Sequence, residues 1–186
     1  MPNWCDNEIK IEHDDPKMIQ KFVKSYNENK VCETFIPEPD YSKVPVYEKP
    51  DKDISKPVDP EDAWYEWRNQ NWGIKWDFGR GDNDVIDVDS EATEVTVYFL
   101  TPWTPPETLY EYLTEELGFR IHAGFYELGN NFLGVFTPNL KFTTELPMDL
   151  ESLEKLKPYL PLGYLGIKDY LEEMLEDEDE EETDTK

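Results

Sequence analysis

Polar and apolar residues alternate through "NEIKIEH" (Asn7–His13), with Ile9 and Ile11 on one side and Glu8, Lys10 and Glu12 on the other. That period of two predicts a half-buried strand. In "DDPKMIQKFVKSYNENK" the period changes: Met18, Ile19, Phe22, Val23 and Tyr26 recur at helical spacing. Asp15 is placed to cap this helix and Pro16 to open it. From Phe35 to Asp59 no period holds, and five prolines predict a long extended loop pinned at its start by Phe35, Ile36 and Tyr41. Asp59 and Pro60 then start a short helix bearing Trp64, Trp67 and Trp72 on one face and ending at Gly73. "IKWDFG" alternates again, placing Ile74, Trp76 and Phe78 inward. "VIDVDSEATEVTVYFL" predicts one short and one strong strand. A Pro-rich entry leads to a helix with Leu109, Tyr112, Leu113 and Leu117 inward, stopped by Gly118. The chain from Phe119 onward returns as strands around a turn near Gly129–Asn131, and two short helices close it.

The order β-α-(loop, helix)-β-β-α-β predicts an α+β fold of the split βαβ, ferredoxin-like kind: an antiparallel sheet with helices packed on one face. The expected organisation is a ferredoxin-like domain over residues 1–146, with residues 37–59 as a Pro-rich loop insertion. A helical extension over 147–175 and a disordered acidic tail over 176–186 follow.

Composition adds a strong sign to this plan. The 186 residues carry 43 acids and 18 bases, a formal net charge of −25. The tail from Glu176 to Lys186 holds eight acids and one lysine (−7), which leaves −18 on the preceding 175 residues. Such a body repels nucleic acid and anionic membrane and favours basic partners. Six Trp, eleven Tyr and nine Phe are enough to build a core despite a hydrophobic share of 38%. No apolar run is long enough to span a bilayer, and the start lacks a basic n-region and an apolar h-region, so a cytoplasmic location is expected. Cys5 is expected reduced and packed beside Trp4, with Cys32 a surface thiol; two such cysteines make no disulfide scaffold.

Four segments occur in the order of a known family: "MPNWCDNEIKI", "WGIKWD", "FLTPWTPP" and "FYELGNNFLGVF". In this order they span roughly Pro2 to Phe136, most of the folded body, and resemble the YubB ferredoxin-like domain family, small proteins of plasmids and bacteriophages. Ile74 and Pro102 stand where that family's pattern has a smaller residue and an alanine. The resemblance implies the ferredoxin-like fold and a mobile-element origin, and it carries no activity onto any residue.

Reactive constellations are hard to find. "DFG" at Asp77–Gly79 lacks the nucleotide loop and catalytic loop of a kinase. "DNDVIDVD" puts Asp82, Asp84 and Asp87 close together, but an EF-hand counted from Asp82 would need Gly and Glu where Asp87 and Thr93 stand. His13, followed by Asp14 and Asp15, reads as a strand-end residue beside a helix cap. His122 shares a strand face with Arg120, Gly124 and Tyr126, and a pairing with Glu127 is the one acid–base arrangement within reach. The strand "VTVYFLTPW" has no basic residue, which argues against RNA stacking. No catalytic residue, metal ligand or cofactor is expected.

Two surfaces are candidates for partner binding. Asp82, Asp84, Asp87, Asp89, Glu91, Glu111, Glu115 and Glu116 form the candidate acidic face. Trp64, Trp67 and Trp72 form the candidate aromatic patch, because exposed Trp is enriched in binding hot spots. Trp76 and Phe78 are expected in the core, with Trp4 and Trp103 closing its ends. The expected function is that of a non-enzymatic phage or mobile-element accessory protein. It would imitate nucleic acid toward a basic host protein or nucleoprotein complex of defence (restriction or CRISPR) or transcription. The alternatives are an aromatic-cluster ligand- or peptide-binding module and a metal-dependent enzyme using His13 or the Asp82–Asp89 loop.

Overall fold

The computed structural model describes residues 2–41, 63–147, 149–159, 166–169 and 171–173. Strand β1 (Trp4–Glu12) follows its alternation: Cys5, Asn7, Ile9 and Ile11 are buried, while the even-numbered residues face the other way. Helix α1 (Pro16–Asn27) is capped by Asp15, whose side chain accepts from the Lys17 amide at 3.0 Å. Its C-terminus closes with Asn29 at φ 56°, the Lys30 amide bonding Ser25 O and the Asn29 amide bonding Tyr26 O. That is a Schellman ending with asparagine in the left-handed position.

The short helix α2 (Val31–Phe35) was not legible in the sequence. Its cap comes from far along the chain: Asp77 accepts from the Cys32 amide at 2.7 Å and the Glu33 amide at 2.9 Å. Cys32 is therefore buried and not a surface thiol. Helix α3 (Ala63–Asn71) follows, and strand β2 (Glu94–Pro102) pairs with β1 along its whole length. Helix α4 (Glu107–Glu115), strands β3 (Arg120–Glu127), β4 (Phe132–Thr137) and β5 (Leu140–Glu145), and helix α5 (Leu150–Leu156) complete the order.

The sheet is five-stranded and antiparallel in the order β2-β1-β3-β4-β5. β2 and β3 both oppose β1, so β2-α4-β3 is a crossover with β1 inserted between its strands. The α+β class is as expected, but the expected second strand, at 85–89, is irregular, and so is the "IKWDFG" segment. Residues 76–83 are instead stitched to the end of α1: the Arg80 amide bonds Tyr26 O and the Gly81 amide bonds Asn29 Oδ1. A Cβ on Gly79 would stand 2.3 Å from Tyr26 O and 2.6 Å from the Asn29 Cα. Only glycine admits this approach.

The main core lies on one face of the sheet, where α1, α2 and α4 bring Phe22, Tyr26, Phe35, Leu109 and Leu113 onto Ile9, Ile11 and Phe125. The expectation of helices on one face alone needs correction. Leu133 and Val135 of β4 point to the opposite face, where Leu153, Ile167 and Leu171 cover them. The cause is the run "FLGVF", apolar on both sides, which needs cover on both sides. The proposed loop of residues 37–59 lies largely outside the described residues, as do the Asp59–Pro60 helix start and the tail of 176–186; only residues up to Tyr41 are described there. Among the described residues, no helix is long and apolar enough to cross a membrane.

Candidate functional site

The described C-terminal residues cover β4 on that second face and reach Tyr126 at the edge of β3. Over β2 and β1 no described C-terminal residue covers it, and register fixes what it presents. Leu100, Asp6 and Tyr126 form one row across three strands, and Tyr98, Glu8 and Gly124 form the next. Gly124 supplies no side chain, so the floor dips there. The 76–83 segment rises as one wall and Gly166 stands at the other side. Together they bound a groove of about 600 Å³.

Trp4 and Trp76 line one end, and Trp103 stacks on Trp76. Trp4 and Trp76 have centroids 6.3 Å apart, and Trp76 and Trp103 are stacked at 6.1 Å. They are exposed by 46%, 37% and 39% respectively, with Tyr98 and Leu100 also open beside them. The expectation that Trp76 is core and that Trp4 and Trp103 seal its ends is corrected. Ile74 and Phe78 are buried, but without a regular strand the alternation does not carry to Trp76. Trp103 sits at φ 65°, inside a three-residue turn closed by the Thr104 amide on Pro102 O. Left-handed backbone is strained for a bulky L residue and is held only where neighbours enforce it. Here the Trp103 amide is fixed to Asn3 O at 2.9 Å.

The groove is electrostatically one-sided. Asp6 and Glu8 lie in its floor and Asp82 on its rim. Tyr98 donates its hydroxyl proton to Glu8 at 2.7 Å. No described group donates to the Asp6 carboxylate, and burial holds its carboxyl above the usual range. Tyr126 is pushed up to about 12, first by burial and then by the Asp6 charge. Arg80, the cation among the described residues that line the groove, bonds backbone: its Nη1 donates to Asn83 O and its Nε to Asn27 O at 3.3 Å.

Of the proposed aromatic patch, Trp64 and Trp67 on α3 are half-buried, and Trp72, just past its end, turns inward. Trp72 is 1% exposed and its Nε1–H donates to Ile36 O at 2.8 Å. The Arg68 guanidinium lies over the rings of Trp64 and Trp72 and pairs with Glu38, while Tyr41 packs edge-on against Trp67. These residues tie α3 to residues 36–41, so Trp72 is withdrawn as a partner contact. The acidic residues do not share one face. Asp82, Asp84, Asp87, Asp89 and Glu91 are exposed on a segment beside α1 and β2, held by Asn27 on Ile86 and Gln20 on Asp89. Glu111 pairs with Lys141 on β5, the opposite edge, and Glu115 and Glu116 are exposed where α4 ends. Four strand spacings separate those edges by about 19 Å.

The histidines have structural partners. His13 Nδ1 accepts from the Asp15 amide at 2.9 Å, which places the ring proton on Nε2, donating to Leu117 O at 3.0 Å. His122 faces the open side, opposite Lys10. Glu127 instead accepts from the Gly129 and Asn130 amides at 2.6 and 2.7 Å and holds the β3–β4 turn. The two are not brought together. Among the described residues, no group of three or more His, Cys, Asp or Glu is arranged to hold a metal.

The groove residues carried a signal in strand parity. Trp4, Asp6 and Glu8 share the even positions of β1, and Tyr98 and Leu100 share those of β2. No family model, curated protein or solved structure matches the chain. The likeness to the YubB family therefore rests on its four ordered motifs alone.

Proposed function

We propose that this chain is a non-enzymatic binding protein that holds a basic segment of a partner protein in the groove over β2-β1-β3. One observation carries the reading: exposed indole rings and the carboxylate of Asp6, to which no described group donates, line the same concave surface. Cations are drawn to both, to the ring face by its quadrupole and to the carboxylate by charge. The −18 body extends the attraction over a Debye length.

In its fuller form, the proposal makes the partner's surface the nucleic-acid channel of a host defence or transcription complex, with this chain as a mobile-element accessory that occupies it. A channel built for about one phosphate charge per 1.7 Å also accepts carboxylates. The four motifs support the mobile-element origin. The β2-α4-β3 crossover around β1 supports a ferredoxin-like ancestry in which the fourth strand position is occupied by irregular chain.

The test uses the full chain as bait in bacterial host lysate beside the double variant Asp6→Asn/Glu8→Gln. A basic protein retained by the wild type, released by salt and by added duplex DNA, and not retained by the variant is the expected result. Retention that ignores salt, DNA and the variant, or no retention of any basic protein, would refute the reading.

A further inference from the structure

We infer that the anchor taken by this groove is the side chain of a single arginine of the partner, its guanidinium lying against the Trp4–Trp76 corner and hydrogen-bonded by the Asp6 carboxylate. The inference rests on the basic-partner reading above and names the chemistry of that site.

The molecule shows how it accommodates a guanidinium. Arg68 Cζ stands 5.0 Å from the Trp64 centroid and 4.8 Å from that of Trp72, while its Nε donates to Glu38 at 2.9 Å. Indole faces and one carboxylate, with the Lys75 carbonyl accepting from Nη1 at 3.3 Å, thus make up the site of an internal arginine. The groove corner repeats the ingredients without the arginine. Trp4 and Trp76 supply the rings, and Asp6, two residues from Trp4 on the same strand face, supplies the carboxylate.

The corner also carries a positive charge of the chain's own, from the residue next to Trp76 in sequence. Lys75 Nζ rests 4.6 Å from the Trp76 centroid and 5.7 Å from that of Trp103, and among the described residues no carboxylate pairs with it. Its ammonium lies on the rings, and no described group donates to the Asp6 carboxylate. The strained backbone at Trp103 holds a ring in contact with Trp76 although the residue is well exposed. Maintained strain at an exposed ring fits a ligand clamp better than a core.

Arginine suits the corner better than lysine for three reasons. Its guanidinium is planar and stacks on indole, it is less strongly hydrated, and its forked donors reach a carboxylate while the plane stays on the ring. An ammonium is a compact, strongly hydrated point charge that satisfies one of these contacts at a time.

The test uses uniformly 15N-labelled full chain and acetylated, amidated Gly/Ser heptapeptides with one central arginine, lysine or citrulline. Nona-lysine serves as a probe of charge alone. The arginine peptide is expected to shift the indole N–H signals of Trp4, Trp76 and Trp103 and to leave that of Trp72 in place. Its dissociation constant should be about fivefold or more below that of the lysine peptide, with citrulline silent. Asp6→Asn and Trp76→Ala should each weaken arginine binding by about fivefold or more while keeping the dispersed spectrum of the wild type. Equal affinity for arginine and lysine, no shift at millimolar arginine peptide, or indifference to both variants would overturn the inference. If nona-lysine still binds in that case, the basic-partner reading stands without an arginine anchor. If nona-lysine also fails at low salt, that reading falls too.

Discussion

Trp103 separates backbone strain from ring contact, and two substitutions measure the difference. The ring is 39% exposed, so about three-fifths of it is covered. With about 200 Å² of burial available to an aromatic side chain, that is roughly 120 Å², or about 3 kcal/mol at 25 cal/mol per Å². Trp103→Ala loses this contribution and keeps a Cβ at φ 65°, where an L residue is strained by about 1–2 kcal/mol. Trp103→Gly loses the same ring and relieves the strain, but gives the unfolded chain about 0.5–1 kcal/mol of extra freedom. Glycine should therefore come out about 1 kcal/mol more stable than alanine, with both below the wild type. Urea unfolding should order the midpoints as wild type, Gly, Ala, and melting temperatures should separate the two variants by about 2–4 °C. An alanine variant as stable as the glycine variant would show that residue 103 stores no strain, and would remove one support of the clamp.

Trp72→Phe should cost about 3 kcal/mol or more in urea unfolding, because it opens a cavity and leaves Ile36 O without its donor, whereas the exposed Trp76→Phe should stay within about 1 kcal/mol. Gly79→Ala should destabilise by more than about 2 kcal/mol, since its Cβ would collide with backbone on both sides; Gly81→Ala, at φ 56° in open space, should cost only about 1 kcal/mol. Burial raises the Asp6 carboxyl, so ionised Asp6 costs folding stability above its raised pKa, and the cost disappears as pH falls. Asp6→Asn should thus stabilise the fold at neutral pH in urea unfolding. In the wild type, arginine-peptide affinity should fall as pH drops through that raised value, and the variant should lack this step. The other charged or titratable groups at the groove are Glu8, Asp77, Arg80, Asp82, Tyr98 and Tyr126, with Asp169 acting on Tyr126. Neutralising Asp84, Asp87 and Asp89 together should slow association of nona-arginine and flatten its salt dependence in stopped flow, leaving its dissociation rate near that of the wild type.

Much of the framework could be read from periodicity. β1, α1, β2, α4 and β3 all keep the alternation or helical spacing of their sequence, and Asp15 and Pro16 mark the start of α1 as expected. What failed has a common cause. The stretches expected as strands at 74–78 and 85–89 are placed by distant partners: Asp77 by the α2 amides, Arg80 and Gly79 by the end of α1, and Ile86 by Asn27. A local pattern contains none of these. Trp72 and Trp76 were exchanged for the same reason, since each was assigned to a face of an element that is either absent or turned inward. Parity in β1 did mark Trp4, Asp6 and Glu8 as one outward row. It could not show that a loop rises beside them, nor that Trp103 adopts a positive φ.

The acids at the edges need not line the groove in order to serve it. A charge about 10 Å from an approaching basic segment still acts across a Debye length, and it acts before contact. On the proposed reading the groove would act afterwards, through rings and one desolvated carboxylate whose strength depends on excluding water. These roles place opposite demands on position. Steering tolerates scattered carboxylates, as on the 82–91 segment and at the end of α4, whereas anchoring requires fixed ones, as Asp6 is fixed in the central strand between β2 and β3. On the proposed reading, a fold that spreads its acids over opposite edges and concentrates its exposed indoles at one corner would divide recognition accordingly: charge would bring a basic chain to the surface, and the corner would select which side chain stays.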